Sequence, residues 1–318
     1  MSRLHTPVCD LLGIEVPIVQ AGMAGCTTPE LVAAVSNAGG LGIIGGRGMS
    51  ADRLRSDIRR VRELTTRPFG VNHIVCLLDN AAFEVTIAQR VSVLSLSWGQ
   101  SSDLTYRAHD AGLKVVHMVT SPEEAGQVAS DGADVVVAQG CEGGGHVGHM
   151  STLPLVPQVV DAVGPVPVLA AGGIADGRGV AAVLMLGAQG ALIGTRFLAT
   201  HEARARGRSK DVILNALGSQ TVASKFYDDV LEIAWPGSVV RSIRHPMLDE
   251  WGDRTQEWDQ ASGQLRPALE AALASGDFVL AGESSGLIHD IVPAGELVVR
   301  IARQAEEVLE AGYGPPRT

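Results

Sequence analysis

The chain's densest chemistry lies in Gln139-Gly140-Cys141-Glu142-Gly143-Gly144-Gly145-His146-Val147-Gly148-His149, directly after the apolar run Val135 to Ala138. Glycine has no Cβ, so a backbone rich in it can lie against a flat or anionic ligand. Histidine exchanges a proton near neutral pH. One loop thus combines ligand contact with acid–base chemistry, and His146 is its candidate general base or hydrogen-bond donor. The alternative is a histidine that only caps its own loop, but the three glycines before it leave little else polar there. His149 follows three residues on, yet no third ligand with metal-type spacing accompanies the pair, so no metal is expected. Cys141 shares the loop, but no sequence feature points to a lowered thiol pKa that would make it a nucleophile.

Two further glycine segments, Ala170-Ala171-Gly172-Gly173-Ile174 and Gly194-Thr195-Arg196-Phe197, each follow an apolar run. Free backbone N–H groups at such turns favour an anion, so Gly172, Gly173, Gly194 and Thr195 are candidate phosphate ligands. Neither segment matches the GxxxxGK[ST] loop or stands where GxGxxG would, so a P-loop or dinucleotide-fold site is not indicated. Asn72 closes Phe69-Gly70-Val71-Asn72, where its amide is placed to hydrogen-bond a flat heterocycle. Gly22 and Met23 follow the first strand, and Gln139 ends the sixth. Gly144 and Gly145 precede His146.

Such scattered residues converge only if the elements carrying them point one way. Short β-rich runs at 17–20, 41–44, 69–72, 91–95, 114–119, 135–139, 166–171 and 191–194 alternate with helical patterns at 28–37, 50–64, 80–89, 102–111, 122–131, 153–163 and 177–186, another starting near Thr195. Thr28, Ser121 and Asp176 stand at expected helix N-caps. Eight strands, each followed by a helix, are what a (β/α)8 TIM barrel requires, and its loops after the strands ring one mouth. A doubly wound open sheet is the competing arrangement.

The chain has 318 residues, 46% hydrophobic and 19% charged, which is ample for a large core. Its formal net charge of −10 argues against a nucleic-acid surface. Arg53, Arg55, Arg59, Arg60 and Arg62 do cluster, but beside Leu54, Ile58 and Val61 they read as the solvated face of a helix. No apolar stretch reaches membrane-spanning length and residues 1–10 hold no leader-like apolar run, so a cytoplasmic protein is expected. Cys9, Cys26, Cys76 and Cys141 are scattered, as reduced cysteines would be.

After about residue 203 the alternation breaks. The expected organisation is a barrel over 1–208, an inserted, mainly helical lid or substrate subdomain over 209–279 containing Trp235, Trp251 and Trp258, and a C-terminal segment over 280–318 that returns to the barrel. A final apolar helix is expected at 293–309, then a frayed tail from 312 to 318.

Taken together, Pro17-Ile18-Val19-Gln20-Ala21-Gly22-Met23, Asn37-Ala38-Gly39-Gly40-Leu41-Gly42, Pro68-Phe69-Gly70-Val71-Asn72, the loop from Gln139 to Gly148, Ala170 to Gly177, Gly194 to Leu198 and Ala281-Gly282-Glu283-Ser284-Ser285-Gly286-Leu287-Ile288 resemble the nitronate monooxygenase family, formerly 2-nitropropane dioxygenases. The resemblance implies an FMN-dependent barrel that oxidises alkyl nitronates with O2 to carbonyl compounds and nitrite. It implies that Gly22 and Met23 lie against the isoalloxazine, that Asn72 and Gln139 hydrogen-bond the cofactor, and that Gly144 and Gly145 line it. Gly172, Gly173, Gly194 and Thr195 would hold its phosphate, and His146 matches the family's active-site histidine. The same loop also resembles FMN-dependent enoyl-acyl carrier protein reductases, which would use NAD(P)H. Quinone reductases and CoA-thioester oxidoreductases share the scaffold, and a non-catalytic flavin-binding barrel is the third reading. Two positions depart from the pattern: Met118 follows His117 where some members carry lysine, and Glu283 stands where many carry glutamine. A homodimer is compatible with the sequence but not read from it.

Overall fold

The computed structural model describes residues 4–252 and 254–312, so the tail expected beyond Gly312 lies outside the described residues. Eleven strands are present: β1 (Ile18–Gln20), β2 (Leu41–Gly45), β3 (Phe69–Ile74), β4 (Val93–Ser97), β5 (Lys114–Val119), β6 (Val135–Gln139), β7 (Gly145–Val147), β8 (Val168–Ala171), β9 (Gly190–Ile193), β10 (Thr221–Ser224) and β11 (Val239–Ile243). Eight of them close a parallel barrel in the order β1-β2-β3-β4-β5-β6-β8-β9. The seam is β9 on β1, with Ile18 opposite Ala191 and Gln20 opposite Ile193. This is the TIM-barrel fold.

Branched side chains fill its interior, including Val19, Leu41, Ile43, Val93, Val116, Val135, Val137, Leu169 and Leu192. The helix Pro7–Leu12 plugs the N-terminal end with buried Val8, Cys9 and Leu12. The Gln189 amide oxygen, in the turn before β9, accepts from the Val8 N–H at 3.0 Å and anchors that plug. Function is thereby confined to the other end.

The outer helices begin where their capping residues stand. Thr28 accepts from the Leu31 N–H, Ser121 from Glu124 and Asp176 from Arg178 and Gly179. The arginine-rich helix Ala51–Leu64 buries Leu54, Ile58 and Val61 and spends much of its charge on Asp52, Asp57, Glu30 and Glu63, as a solvated face should. Strand β4 starts two residues later than the pattern predicts. The left-handed turn at Arg90 (φ 48°) takes up Val91 and Ser92 before the strand begins.

The final helix, Ala294–Ala311, is amphipathic rather than apolar throughout. It buries Leu297, Val298, Ile301, Ala302 and Ala305 and packs on the helix Gly177–Met185. The contact needs glycine at 177, because a Cβ there would stand 2.3 Å from the Ala305 amide nitrogen.

Segment 209–279 is mainly helical, with helices Ser209–Leu214, Phe226–Leu231, Pro246–Trp251 and Trp258–Ser275. Phe226, Val230, Leu248, Trp258, Leu265, Leu269 and Phe278 give it an apolar cluster of its own. It also contains two strands that the pattern did not foretell. The order β10-β11-β7 makes a three-stranded antiparallel sheet in which Val240 lies opposite His146. The glycine segment is therefore not all loop. Gly145–Val147 becomes a strand only because β11, distant in sequence, supplies its partner.

Candidate active site

The C-terminal ends of the barrel strands open into a cavity of about 540 Å³. Gly22, Met23, Asn72, Gln139, Gly144, Gly145, His146, Gly172, Gly173, Gly194 and Thr195 all line it. Every candidate site residue read from the sequence is thus brought to one place, as convergent strand ends demand.

His146 is the best-fixed of them. Its Nε2 lies 2.8 Å from Asp228 Oδ1, with only 10% and 7% of the two side chains exposed. Its ring stacks on Trp235 at 3.4 Å between centroids and 10° between planes, and meets Tyr227 edge-on at 6.2 Å. A carboxylate can only accept, so Nε2 carries the proton. In the neutral ring Nδ1 is then the basic nitrogen, and among the described residues it has no hydrogen-bond partner.

The glycine segments leave donors and room. Gly172 and Gly173 adopt φ of 95° and 74°, which glycine alone takes without strain. Among the described residues their amides have no acceptor. A Cβ at Gly194 would make only ordinary contacts with Ala21 and Met23, so the missing side chain leaves space on the cavity side. Thr195 Oγ1 accepts from the Gly282 N–H at 3.0 Å, tying this corner to the C-terminal segment. Asn72 Nδ2 donates to Ser95 Oγ at 3.1 Å, which turns its amide and keeps the oxygen available. Among the described residues, the buried amide oxygen of Gln139 has no partner. Such an orphan acceptor is costly unless a ligand satisfies it.

Other loop residues are structural. Both carboxylate oxygens of Glu142 accept from the Thr152 N–H, at 2.9 and 3.0 Å, and so cap the helix Thr152–Val163. Cys141 does not line the cavity, and His149 is exposed. Among the described residues, no group of three or more His, Cys, Asp or Glu could hold a metal ion. Glu283 pairs with Arg241 at 3.1 Å outside the cavity, and Arg241 also donates to the Cys141 carbonyl at 2.8 Å. The family's glutamine is thus replaced by an ion pair that braces the loop.

Tyr227, Trp235, Trp98 and Arg47 complete the wall, and Asp228 stands behind His146; none of the five was picked out from the sequence as a site residue. The partner of His146 lies 82 residues away, on the helix Phe226–Leu231 that links β10 to β11 of the sheet β7 joins. Trp98 holds φ of 61°, a strained value for a bulky residue, and packs edge-on against Trp235 at 5.9 Å. Burial raises the Tyr227 hydroxyl pKa above its usual value, an effect that nearby Arg47 opposes.

A TIM barrel with a paired histidine in a glycine-lined cavity at its C-terminal mouth belongs to the class of barrel enzymes. A model of the family described as nitronate monooxygenase matches residues 5–83 and 75–304. The chain belongs to that family, and it is an oxidoreductase. It is 33% identical, over 94% of its length and 97% of the relative's, to a probable nitronate monooxygenase of Staphylococcus aureus strain MSSA476. It is 39% identical, over 77% of its length and 69% of the relative's, to a (3aS,4S,5R,7aS)-5-hydroxy-7a-methyl-1-oxo-octahydro-1H-indene-4-carboxyl-CoA dehydrogenase of Rhodococcus jostii RHA1. The solved structure of FabK from Thermotoga maritima superposes with a TM-score of 0.84 at 38% identity, over 96% of this chain and 98% of that one. No helix among the described residues is long and apolar enough to cross a membrane.

Proposed function

We propose that the chain is an FMN-dependent nitronate monooxygenase that oxidises alkyl nitronates with O2 to carbonyl compounds and nitrite. The observation that carries this reading is His146, held from behind by Asp228, facing the same cavity as a glycine cradle with unused amides. FMN suits the donor set. Gly172 and Gly173 offer N–H groups to a phosphate, with Gly194 and Thr195 beside them. Gln139 and Asn72 offer amides to the flavin ring, and Gly22, Met23, Gly144 and Gly145 give it flat walls. When bound there, FMN supplies an electron acceptor that O2 can reoxidise.

The chain's own residues bind, orient and move a proton. Nδ1 of His146 takes the α-proton of a neutral nitroalkane, and Asp228 stabilises the imidazolium that results. With a preformed nitronate no proton needs removal, and the protonated ring donates to a nitro oxygen instead. Trp235 fixes the plane of the imidazole. Tyr227, Trp98 and Phe278 exclude water beneath segment 209–279, which acts as a lid. Purified protein is expected to be yellow, to consume O2 with propyl-2-nitronate and to release nitrite. A colourless protein that takes up no FMN would remove this reading.

A second reading, an NAD(P)H-dependent FMN reductase of thioesters or quinones, is favoured by one observation: the charged residues lining the cavity are Arg47, Arg204 and Arg206. A similar relative is named for a carboxyl-CoA substrate, and such a molecule carries several phosphates. Rapid NADPH or NADH oxidation in the presence of an acceptor, without turnover of nitronates, would select it.

A further inference from the structure

The protein carries a formal net charge of −10, yet no aspartate or glutamate lines its cavity. Many of the other arginines are paired: Arg53 with Asp57, Arg107 with Glu84, Arg241 with Glu283, and Arg196 and Arg300 with Asp290. Among the described residues, Arg47, Arg204 and Arg206 have no carboxylate partner. Converging like charges repel, so an arrangement of this kind makes sense where an anion binds.

The Arg47 side chain and the backbone at Arg204 and Arg206 have fixed partners. Arg47 lies 5.6 Å from the centroid of the Trp235 ring and beside the Tyr227 hydroxyl. The backbone N–H of Arg204 donates to the Cys26 carbonyl at 2.9 Å, and that of Arg206 to Ser209 Oγ at 3.2 Å. The Arg206 guanidinium covers Gly25, where an added Cβ would stand 2.8 Å from Nη2. Gly25, at φ 73°, both permits that turn and leaves the guanidinium its space. These arginines sit on segments after β2 and after the helix Thr195–Leu198, apart from the β8 glycine pair. A small alkyl nitronate has one charge and meets His146, which leaves the rim arginines without a role.

The geometry points to a second anion site at the cavity rim, formed by Arg47, Arg204 and Arg206, which docks the ester phosphates of a nucleotide-tailed substrate or cosubstrate. Guanidinium forks match phosphate oxygens in pairs. That the tail's reactive head reaches His146 rests on the oxidoreductase reading above, whereas binding of the tail does not. Two tails share the chemistry: the 3′-phosphoadenosine of an acyl thioester and the 2′-phosphoadenosine of a nicotinamide.

Calorimetric titration of the FMN-loaded protein with adenosine 3′,5′-bisphosphate and adenosine 2′,5′-bisphosphate tests this. The wild type is expected to bind one of them, weakening with added salt, and the tighter probe identifies the tail. The double variant Arg204→Gln, Arg206→Gln should lose at least about tenfold in affinity, as removal of charge-assisted hydrogen bonds would. It should keep its FMN. Arg90→Gln, an exposed arginine in the turn before β4 at the barrel's other end, should bind like the wild type. Equal affinity in wild type and double variant, or no binding of either probe, overturns the proposal. Loss of FMN together with the probe would also overturn it, by assigning the arginines to the cofactor. Probe binding by a protein that takes up no flavin would keep the tail site and remove the oxidoreductase reading instead.

Discussion

His146 and Asp228 act as one unit, because the carboxylate decides which ring nitrogen faces the substrate. Replacing His146 by Ala should lower kcat/KM for a neutral nitroalkane by about 10²–10⁴, the range for loss of a positioned general base. The same variant should lose far less with the preformed nitronate, which has no proton to give up. Steady-state kinetics on the two forms of one substrate checks this, and equal losses would contradict a base role. Turnover unchanged on both would remove His146 from the chemistry. Asp228→Asn should keep the fold and the flavin while reducing turnover of the neutral form by about tenfold or more, since an amide does not stabilise the imidazolium as a carboxylate does. His146 was legible in the sequence because the three glycines before it set it apart as the polar group of that stretch. Asp228 was not, since nothing about an Asp-Asp pair in a helical stretch signals a histidine 82 residues away.

Among the elements, β5 and the turn after β9 make the clearest predictions. His117 on β5 is buried, its two ring nitrogens have no partner among the described residues, and burial lowers its pKa to about 4. His73 on β3 is likewise held at about 4 by burial, with Thr86 Oγ1 2.7 Å from its Nε2. In the unfolded chain both titrate near 6.5, so between pH 6.5 and 4 the unfolded state binds more protons. Stability is therefore expected to fall as pH drops through that window, by on the order of 3 kcal/mol per histidine at its lower end. His117→Leu should raise Tm at pH 7 by removing two unsatisfied nitrogens, and by more at pH 5. A smaller gain at pH 5 than at pH 7, measured by thermal melts, would contradict the assignment. Gly194→Ala should fold normally, because its new methyl makes only ordinary contacts, yet hold FMN less tightly. The barrel strands were readable because β-branched runs recur between capped helices. Strand β7 was not: Gly145-His146-Val147 is too short, and follows too many glycines, to carry a β signal, and it pairs with β11.

At the scale of the whole molecule, a charged cluster fastens the C-terminal segment to the barrel beside the contacts of its final helix. Arg196, 3% exposed just after Thr195, meets Asp290 Oδ1 at 2.6 Å, and Arg300 meets the other carboxylate oxygen at 2.6 Å. Asp290→Ala should cost about 2 kcal/mol, below the 3–5 of a fully buried pair because Asp290 is half exposed. Denaturant titration checks the loss, and an unchanged midpoint would show that the pair is dispensable. The closed barrel and its mouth followed from an alternation whose count of eight favours closure over an open doubly wound sheet, whereas the cover over the mouth, with Tyr227 and Trp235, did not, because its packing rests on contacts without local periodicity. This mouth is expected to hold a flavin that a nitronate reduces. Anaerobic mixing with propyl-2-nitronate, and separately with NADPH and NADH, while the flavin absorbance is followed, tests it most directly. Bleaching by the nitronate alone is the predicted result, and bleaching only by a nicotinamide would contradict it.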